Sequence, residues 1–167
     1  MVRRTLTLQD YKDNFIYDPD KGVFYNKYDR NRQAKAGQIA GGADAYGYKV
    51  LKFKDVVIKI HHLVWWFEHG YKPTKMIDHI DGNRSNNHIS NLRETDKYGN
   101  AQNRIKQTTN KSGYKGVHYF KDCNKWRAAI TCRGKRTSLG LFDTPEEAHK
   151  AYCEAAVKLH GEFAKLS

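Results

Sequence analysis

The stretch Lys75–Arg104, KMIDHIDGNRSNNHISNLRETDKYGNAQNR, decides how the rest of the chain is read. It opens with an apolar Met-Ile run into Asp78 and His79, which sets a carboxylate beside an imidazole at a strand end. The polar turn Asp81-Gly82-Asn83 follows, then a second apolar touch at Ile89. A helix-like segment is expected from near Ser90; it carries Leu92 and ends in the amides Asn100, Gln102 and Asn103. A carboxylate with an amide oxygen returning about 20 residues later offers hard oxygen donors for a divalent cation. The histidine beside it is then left to take a proton from water.

These residues resemble the HNH endonucleases, whose ββα-metal fold gathers such groups round one divalent ion. The resemblance rests on Asp78-His79 at the first strand, Asn91 in the Asn-Leu-Arg step and Asn100 in the following helix. Asn91 lies 12 positions and Asn100 21 positions after His79, a spacing similar to that of phage homing nucleases of this type. The likeness covers roughly Gln38 to Arg104. It implies a metal-dependent DNA phosphodiester hydrolase in which Asp78 and Asn100 hold one Mg²⁺ or Mn²⁺ and His79 is the general base. It also implies that Asn91 bridges the loop and orients His79. Asn103 and Arg104 are further candidates, for phosphate contact or for the surroundings of the metal. One such site in a chain implies a monomer that nicks one strand and needs no obligatory protein partner. The alternative is a DNA-binding transcriptional regulator whose nuclease half is inactive.

The bulk composition agrees with a nucleic-acid partner. A formal charge of +12 and a pI near 9.6 favour a polyanion. Eleven Tyr, seven Phe and three Trp exclude a disordered basic tail. No apolar run has the length of a membrane span and no signal-peptide core follows Met1, so an intracellular protein is expected, in a bacterial or phage-infected host. Cys123, Cys132 and Cys153 are odd in number and lack Cys-x-x-Cys spacing, which suits a reducing compartment and offers no zinc knuckle.

Upstream, Phe15, Tyr17, Val23, Phe24 and Tyr25 flank the turn Asp18-Pro19-Asp20-Lys21-Gly22 and predict a β-hairpin. Its aromatics serve either a core or base stacking, core packing being the commoner use. A second hairpin is expected across GQIAGGADAYGYKVLKFKDVVIKI, residues 37–60. There Lys49, Lys52, Lys54 and Lys59 either touch phosphate or form a solvated face. His61–Gly70, HHLVWWFEHG, predicts a short helix closed by Gly70, with Leu63, Val64, Trp66 and Phe67 packed on the sheet that carries His79. His61 and His62 invite a metal reading, but the resemblance to the HNH family implies a structural helix there; His69 and His88 have no carboxylate or cysteine at ligand spacing, and all four are expected to be scaffold.

After a polar, mildly basic linker at 105–111, the chain changes character. Strand-like runs at Gly116–Lys121, Lys125–Cys132 and Lys135–Leu141 are separated by turns at Asp122-Cys123-Asn124 and Arg133-Gly134. Thr144-Pro145-Glu146-Glu147 is a helix start with Thr at N-cap, Pro at N1 and Glu at N3. Ala148, Ala151, Tyr152, Ala155 and Leu159 give that helix an expected apolar stripe. Basic residues crowd the strands and acids the helix, so a sheet face is expected to meet DNA.

Tyr114-Lys115-Gly116-Val117, Lys125-Trp126-Arg127-Ala128-Ala129-Ile130, Leu139-Gly140-Leu141-Phe142-Asp143-Thr144 and Glu146-Glu147-Ala148 resemble the Apetala-two/ethylene-response-factor DNA-binding domain, over about Ser112 to Leu166. That family inserts its three-stranded sheet into the major groove of double-stranded DNA. By residue matching, Lys115, His118, Arg127, Ala129, Thr131, Arg136 and Ser138 face DNA, and Arg133 joins them. Alternation puts Trp126, Ala128 and Ile130 on the opposite face. His118, Thr131, Ala129 and Ser138 depart from the plant members, so the plant target sequence does not carry over. Arg127 and Arg136 are expected to read guanine. The expected fold class is therefore α+β: β-hairpins and a ββα-metal nuclease module over 1–104, the linker, and a three-stranded antiparallel sheet packed on one helix over 112–167.

Overall fold

Thr7 starts the first helix, α1 (Leu8–Asn14), through a reciprocal capping box. Its hydroxyl accepts from the Asp10 N–H at 3.2 Å, and the Asp10 carboxylate accepts from the Thr7 N–H at 2.9 Å. The sequence reading assigned no helix here, although Thr-Leu-Gln-Asp spells the cap. In this computed structural model, which describes residues 5–96, 99, 110, 112–164 and 166, the chain divides into two units, Met1–Glu94 and Thr95–Ser167.

In the first unit, β1 (Phe15–Asp18) pairs antiparallel with β2 (Val23–Asn26), as the aromatic spacing predicts. Phe15 and Phe24 are buried, so the hairpin aromatics pack a core. Phe15 meets Phe53 edge-on at 5.2 Å, and Tyr17 stacks on Phe24 at 5.0 Å. The hairpin turn needs Gly22 twice over. Its φ is +62°, and a Cβ there would lie 2.4 Å from the backbone of Asn87.

The expected second hairpin is a three-stranded antiparallel sheet, ordered β3 (Gly42–Ala43), β4 (Lys49–Phe53), β5 (Val56–Lys59). Lys54 and Asp55 both take positive φ in the two-residue turn between β4 and β5, the twist that hairpins favour. Helix α2 (Ile60–His69) ends at Gly70 in the left-handed region, whose N–H donates to the Trp66 carbonyl. It buries Leu63, Val64, Trp65 and Trp66 in one core with Leu51, Ile77 and Leu92. Burial of aliphatic side chains on this scale is worth about 1.5–3 kcal/mol each. Trp65, absent from the predicted packing set, belongs to it.

Strand β6 (Met76–His79) pairs with β7 (Leu92–Thr95) in a two-stranded sheet. Leu92 therefore lies on a strand, not on the expected helix from Ser90. A single 3₁₀ turn, Ile89–Asn91, precedes it, and pairing with β6 overrides the local helical look. The later segment carrying Asn100, Gln102, Asn103 and Arg104, and the linker at 105–109 and 111, lie outside the described residues.

In the second unit, β8 (Val117–Phe120), β9 (Lys125–Cys132) and β10 (Lys135–Phe142) form an antiparallel sheet in the order β10-β9-β8. Arg133 and Gly134 make the tight turn between β9 and β10, both at positive φ. Thr144 caps α3 (Pro145–His160), its hydroxyl accepting from the Glu147 N–H at 3.3 Å, as expected. The buried stripe of α3 is Ala148, Tyr152, Ala156 and His160, whereas Leu159 is 48% exposed. The predicted stripe ran one position early over its last turns because His160 does not look apolar. Its buried ring instead lies with Nε2 3.3 Å from the Thr131 carbonyl. Cys123, Cys132 and Cys153 form no disulfide. No helix among the described residues is long and apolar enough to cross a membrane.

Candidate functional site

Strand β6 delivers Asp78 and His79 at its end, and both are buried, at 6% and 4% exposure. The Asp78 Oδ2 accepts from Nε and Nη2 of Arg93, each at 3.1 Å. Arg93 comes from β7, so strand pairing itself supplies the cation that lets a carboxylate be buried here. Arg93 stood in the motif without an assigned role.

His79 is held by a residue that the sequence did not single out. Its Nε2 lies 3.1 Å from Oδ1 of Asn87, which is 2% exposed. The Asn87 amide is oriented by its other end, since Nδ2 donates to the Ser85 carbonyl at 3.3 Å. An oxygen therefore faces the ring, so Nε2 is the nitrogen that donates here, and of the two neutral tautomers the one with the lone pair on Nδ1 fits. His61, from the first turn of α2, packs edge-on to the same ring at 4.9 Å. Burial, with the charges of His62, His79 and Lys59, pushes the His61 pKa down to about 2, so this ring is neutral. It is a buried ring in contact with the site.

Asn91 closes the loop beneath. Its Oδ1 accepts from the Asp81 N–H at 3.0 Å, while Nδ2 donates to Asp81 Oδ1 at 3.0 Å and to the Asn86 carbonyl at 2.9 Å. Asp81 also accepts from the Asn83 N–H and the Asn86 side chain. Burial raises the Asp81 pKa, but these bonds from Asn86, Asn83 and Asn91 outweigh it and hold the group below its usual value. Asn91 thus braces the loop that presents Asn87. His69 packs on Trp65 at 4.1 Å, and His88 accepts from the Ser90 N–H as a helix cap; neither joins His79.

Asn100, the second expected metal ligand, lies outside the described residues. Among the described residues no group of three or more His, Cys, Asp or Glu is arranged to hold a metal. Asp78 contributes a hard carboxylate oxygen donor, of the kind that Mg²⁺ and Mn²⁺ take.

The second unit presents a different surface. His118 pairs across the sheet with Arg127, and Arg127 with Leu141; Thr131 pairs with Arg136, and Ala129 with Ser138. Paired positions share a face. The opposite face carries Val117, Ala128 and Ile130 against Ala148, Tyr152 and Ala156 of α3. The face with His118, Arg127, Thr131, Arg136 and Ser138 is left uncovered by the helix. Burial, then the charges of Arg136 and Arg127, lowers the His118 pKa, a sign of how closely the three cluster. The Arg127 guanidinium lies over the Phe120 ring at 5.3 Å, which limits its wandering. Arg133 is exposed in the tight turn, and Lys115 precedes β8. Ala129 has the right parity but is only 9% exposed.

Comparison with known proteins agrees with both halves. A family model described as HNH endonuclease matches residues 59–102, and one described as AP2 domain matches residues 112–162. Protein 3.8 of Escherichia phage T7 is 35% identical over 107 residues, covering 64% of this chain and 88% of that protein. The uncharacterized HNH endonuclease L560 of Acanthamoeba polyphaga mimivirus is 34% identical over 88 residues, 53% of this chain and 44% of that protein. A solved structure of DNA binding and cleavage by the HNH homing endonuclease I-HmuI aligns with a TM-score of 0.43 at 18% identity, over 93% of this chain and 90% of that one.

Proposed function

The chain belongs to the HNH endonuclease family and carries a C-terminal AP2 domain, and from this DNA endonuclease identity we propose a metal-dependent, sequence-directed enzyme that nicks one strand of duplex DNA. In this reading residues 1–104 are the nuclease, 105–111 the linker and 112–167 the DNA-binding domain. The enzyme is a homing-type nuclease acting as a monomer on intracellular DNA.

His79 is the general base, and Nδ1 is the nitrogen that takes the proton of the attacking water. The observation that carries this assignment is the Asn87 amide, whose oxygen holds the proton on Nε2. Asn91 acts through the loop, keeping Asn87 in place. Asp78 and Asn100 hold one Mg²⁺ or Mn²⁺, and Arg93 balances the Asp78 charge. When bound, the ion supplies Lewis-acid stabilisation of the scissile phosphate and the leaving 3′-oxygen. In the tail, His118, Arg127, Thr131, Arg133, Arg136 and Ser138, with Lys115, meet DNA. Arg127 and Arg136 read guanine, each worth about 1–3 kcal/mol of discrimination.

Supercoiled-plasmid relaxation tests the reading. Mg²⁺ or Mn²⁺ should yield open circles and EDTA none, and His79→Ala should lose about 100-fold or more in rate while binding persists. Equal cutting by the variant would remove His79 as base. Wild type that binds DNA yet cuts neither plasmid nor host genomic DNA would leave a DNA-binding regulator. Linear product from a protein that sediments as a dimer would overturn nicking by a monomer.

A further inference from the structure

We propose that Tyr48 holds Lys59 and Arg84 as a two-cation clamp for the DNA backbone beside the nuclease site. Lys59 Nζ lies 4.2 Å and the Arg84 guanidinium carbon 4.9 Å from the centroid of this one ring. The ring in turn is 6.1 Å from that of His79 and 5.4 Å from that of His61. The clamp therefore lines the approach to His79, and for that placement it rests on the nuclease reading.

Three features separate these cations from ordinary surface charge. First, Arg84 is anchored. Arg84 Nη1 donates to the Tyr46 carbonyl at 2.7 Å, and the neighbouring Ser85 hydroxyl reaches the Gly47 carbonyl at 3.5 Å. The loop that presents Asn87 is thereby fastened to the turn that presents Tyr48. Second, they lack carboxylate partners among the described residues, whereas Lys52 pairs with Asp55 and Lys54 with Asp10, each at 3.6 Å. Third, two like charges on one ring repel each other, and the π face offsets only part of that cost. An anion between them removes the rest, and a nucleic-acid strand brings phosphates in series. Burial first, and then nearby charges that include Lys59, disfavour protonation of His61 and His62. Of the four lysines that the sequence offered as phosphate contacts, the structure separates Lys59 from the paired Lys52 and Lys54.

The test is the salt dependence of full-chain binding to a duplex of arbitrary sequence, without divalent metal. Each lost phosphate contact should lower the slope of log affinity against log salt by about 0.9. Arg84→Ala and Lys59→Ala should each show that drop, and Lys52→Ala none. Tyr48→Leu should weaken low-salt binding by about two- to fivefold, and Tyr48→Phe should leave it unchanged. Unchanged slopes in the Arg84 and Lys59 variants, or an equal drop in Lys52→Ala, would overturn the clamp. Full affinity in Tyr48→Leu would overturn the shared ring. Because nothing in this assay requires cutting, normal slope changes with an inactive wild type would remove the nuclease reading and keep the clamp.

Discussion

At the scale of single residues, the role proposed for His79 depends on which of its nitrogens carries the proton. Asn87 sets this with one amide, bound to His79 on one side and to Ser85 on the other. Asn87→Ala should therefore lower the cleavage rate about 10- to 100-fold, the usual effect of losing a partner that orients a reactive group. DNA affinity should not change. Single-turnover rates at saturating DNA check this, and a rate equal to wild type would show that another group fixes the tautomer. Asp78, His79 and Asn91 were legible as letters at a recognisable spacing. Asn87, Arg93 and His61 were not, because asparagine in a polar turn, arginine on a strand and histidine on an apolar helix all have ordinary uses. Only the positions of their partners make them part of the site.

At the scale of elements, the N-terminal hairpin is coupled to the site by contact of backbones. The Gly22 turn rests on Asn87, so a side chain at Gly22 would press on the residue that holds His79. Gly22→Ala should lose about 1–3 kcal/mol of stability and also slow cleavage, since Asn87 has to move. Gly37→Ala is the matched control, because Gly37 also has positive φ, at +75°, but has nothing within 4 Å of its would-be Cβ. It should pay the backbone strain alone and keep its activity. Denaturant melts with cleavage rates measure both, and equal activity losses would refute the coupling. The hairpin itself was visible from its aromatic runs and its Asp-Pro-Asp-Lys-Gly turn. That it touches the nuclease loop was not, for the two segments are distant in sequence.

At the scale of the whole molecule, the buried histidines make stability depend on pH. Burial lowers the pKa of His61, His62 and His160 in the folded state, so each takes up its proton more readily when unfolded. Their contribution is complete above the unfolded value of about 6.5 and is lost as pH falls below it. His61, pushed down to about 2, keeps losing over the widest range, at up to about 1.4 kcal/mol per pH unit. Urea midpoints should be level above about pH 7 and fall toward pH 5, and His61→Phe should flatten the fall. A midpoint independent of pH in wild type would mean that these rings are solvated.

Sequence alone determined the division of labour: a nuclease motif followed by a basic sheet with an acidic, capped helix. It also determined the hairpins, the strands of the C-terminal sheet and the tight turns, because those depend on neighbours two to four residues apart. Tertiary structure decided the rest. It made Leu92 part of a strand, since pairing with β6 outweighs local preference. It shifted the buried stripe of α3 to Ala156 and His160, since a carbonyl on β9 accepts what an apolar pattern excludes. It gathered Asn87, Arg93, Tyr48 and His61 round Asp78 and His79, because hydrogen bonds and ring contacts across long loops form only once the chain has closed them.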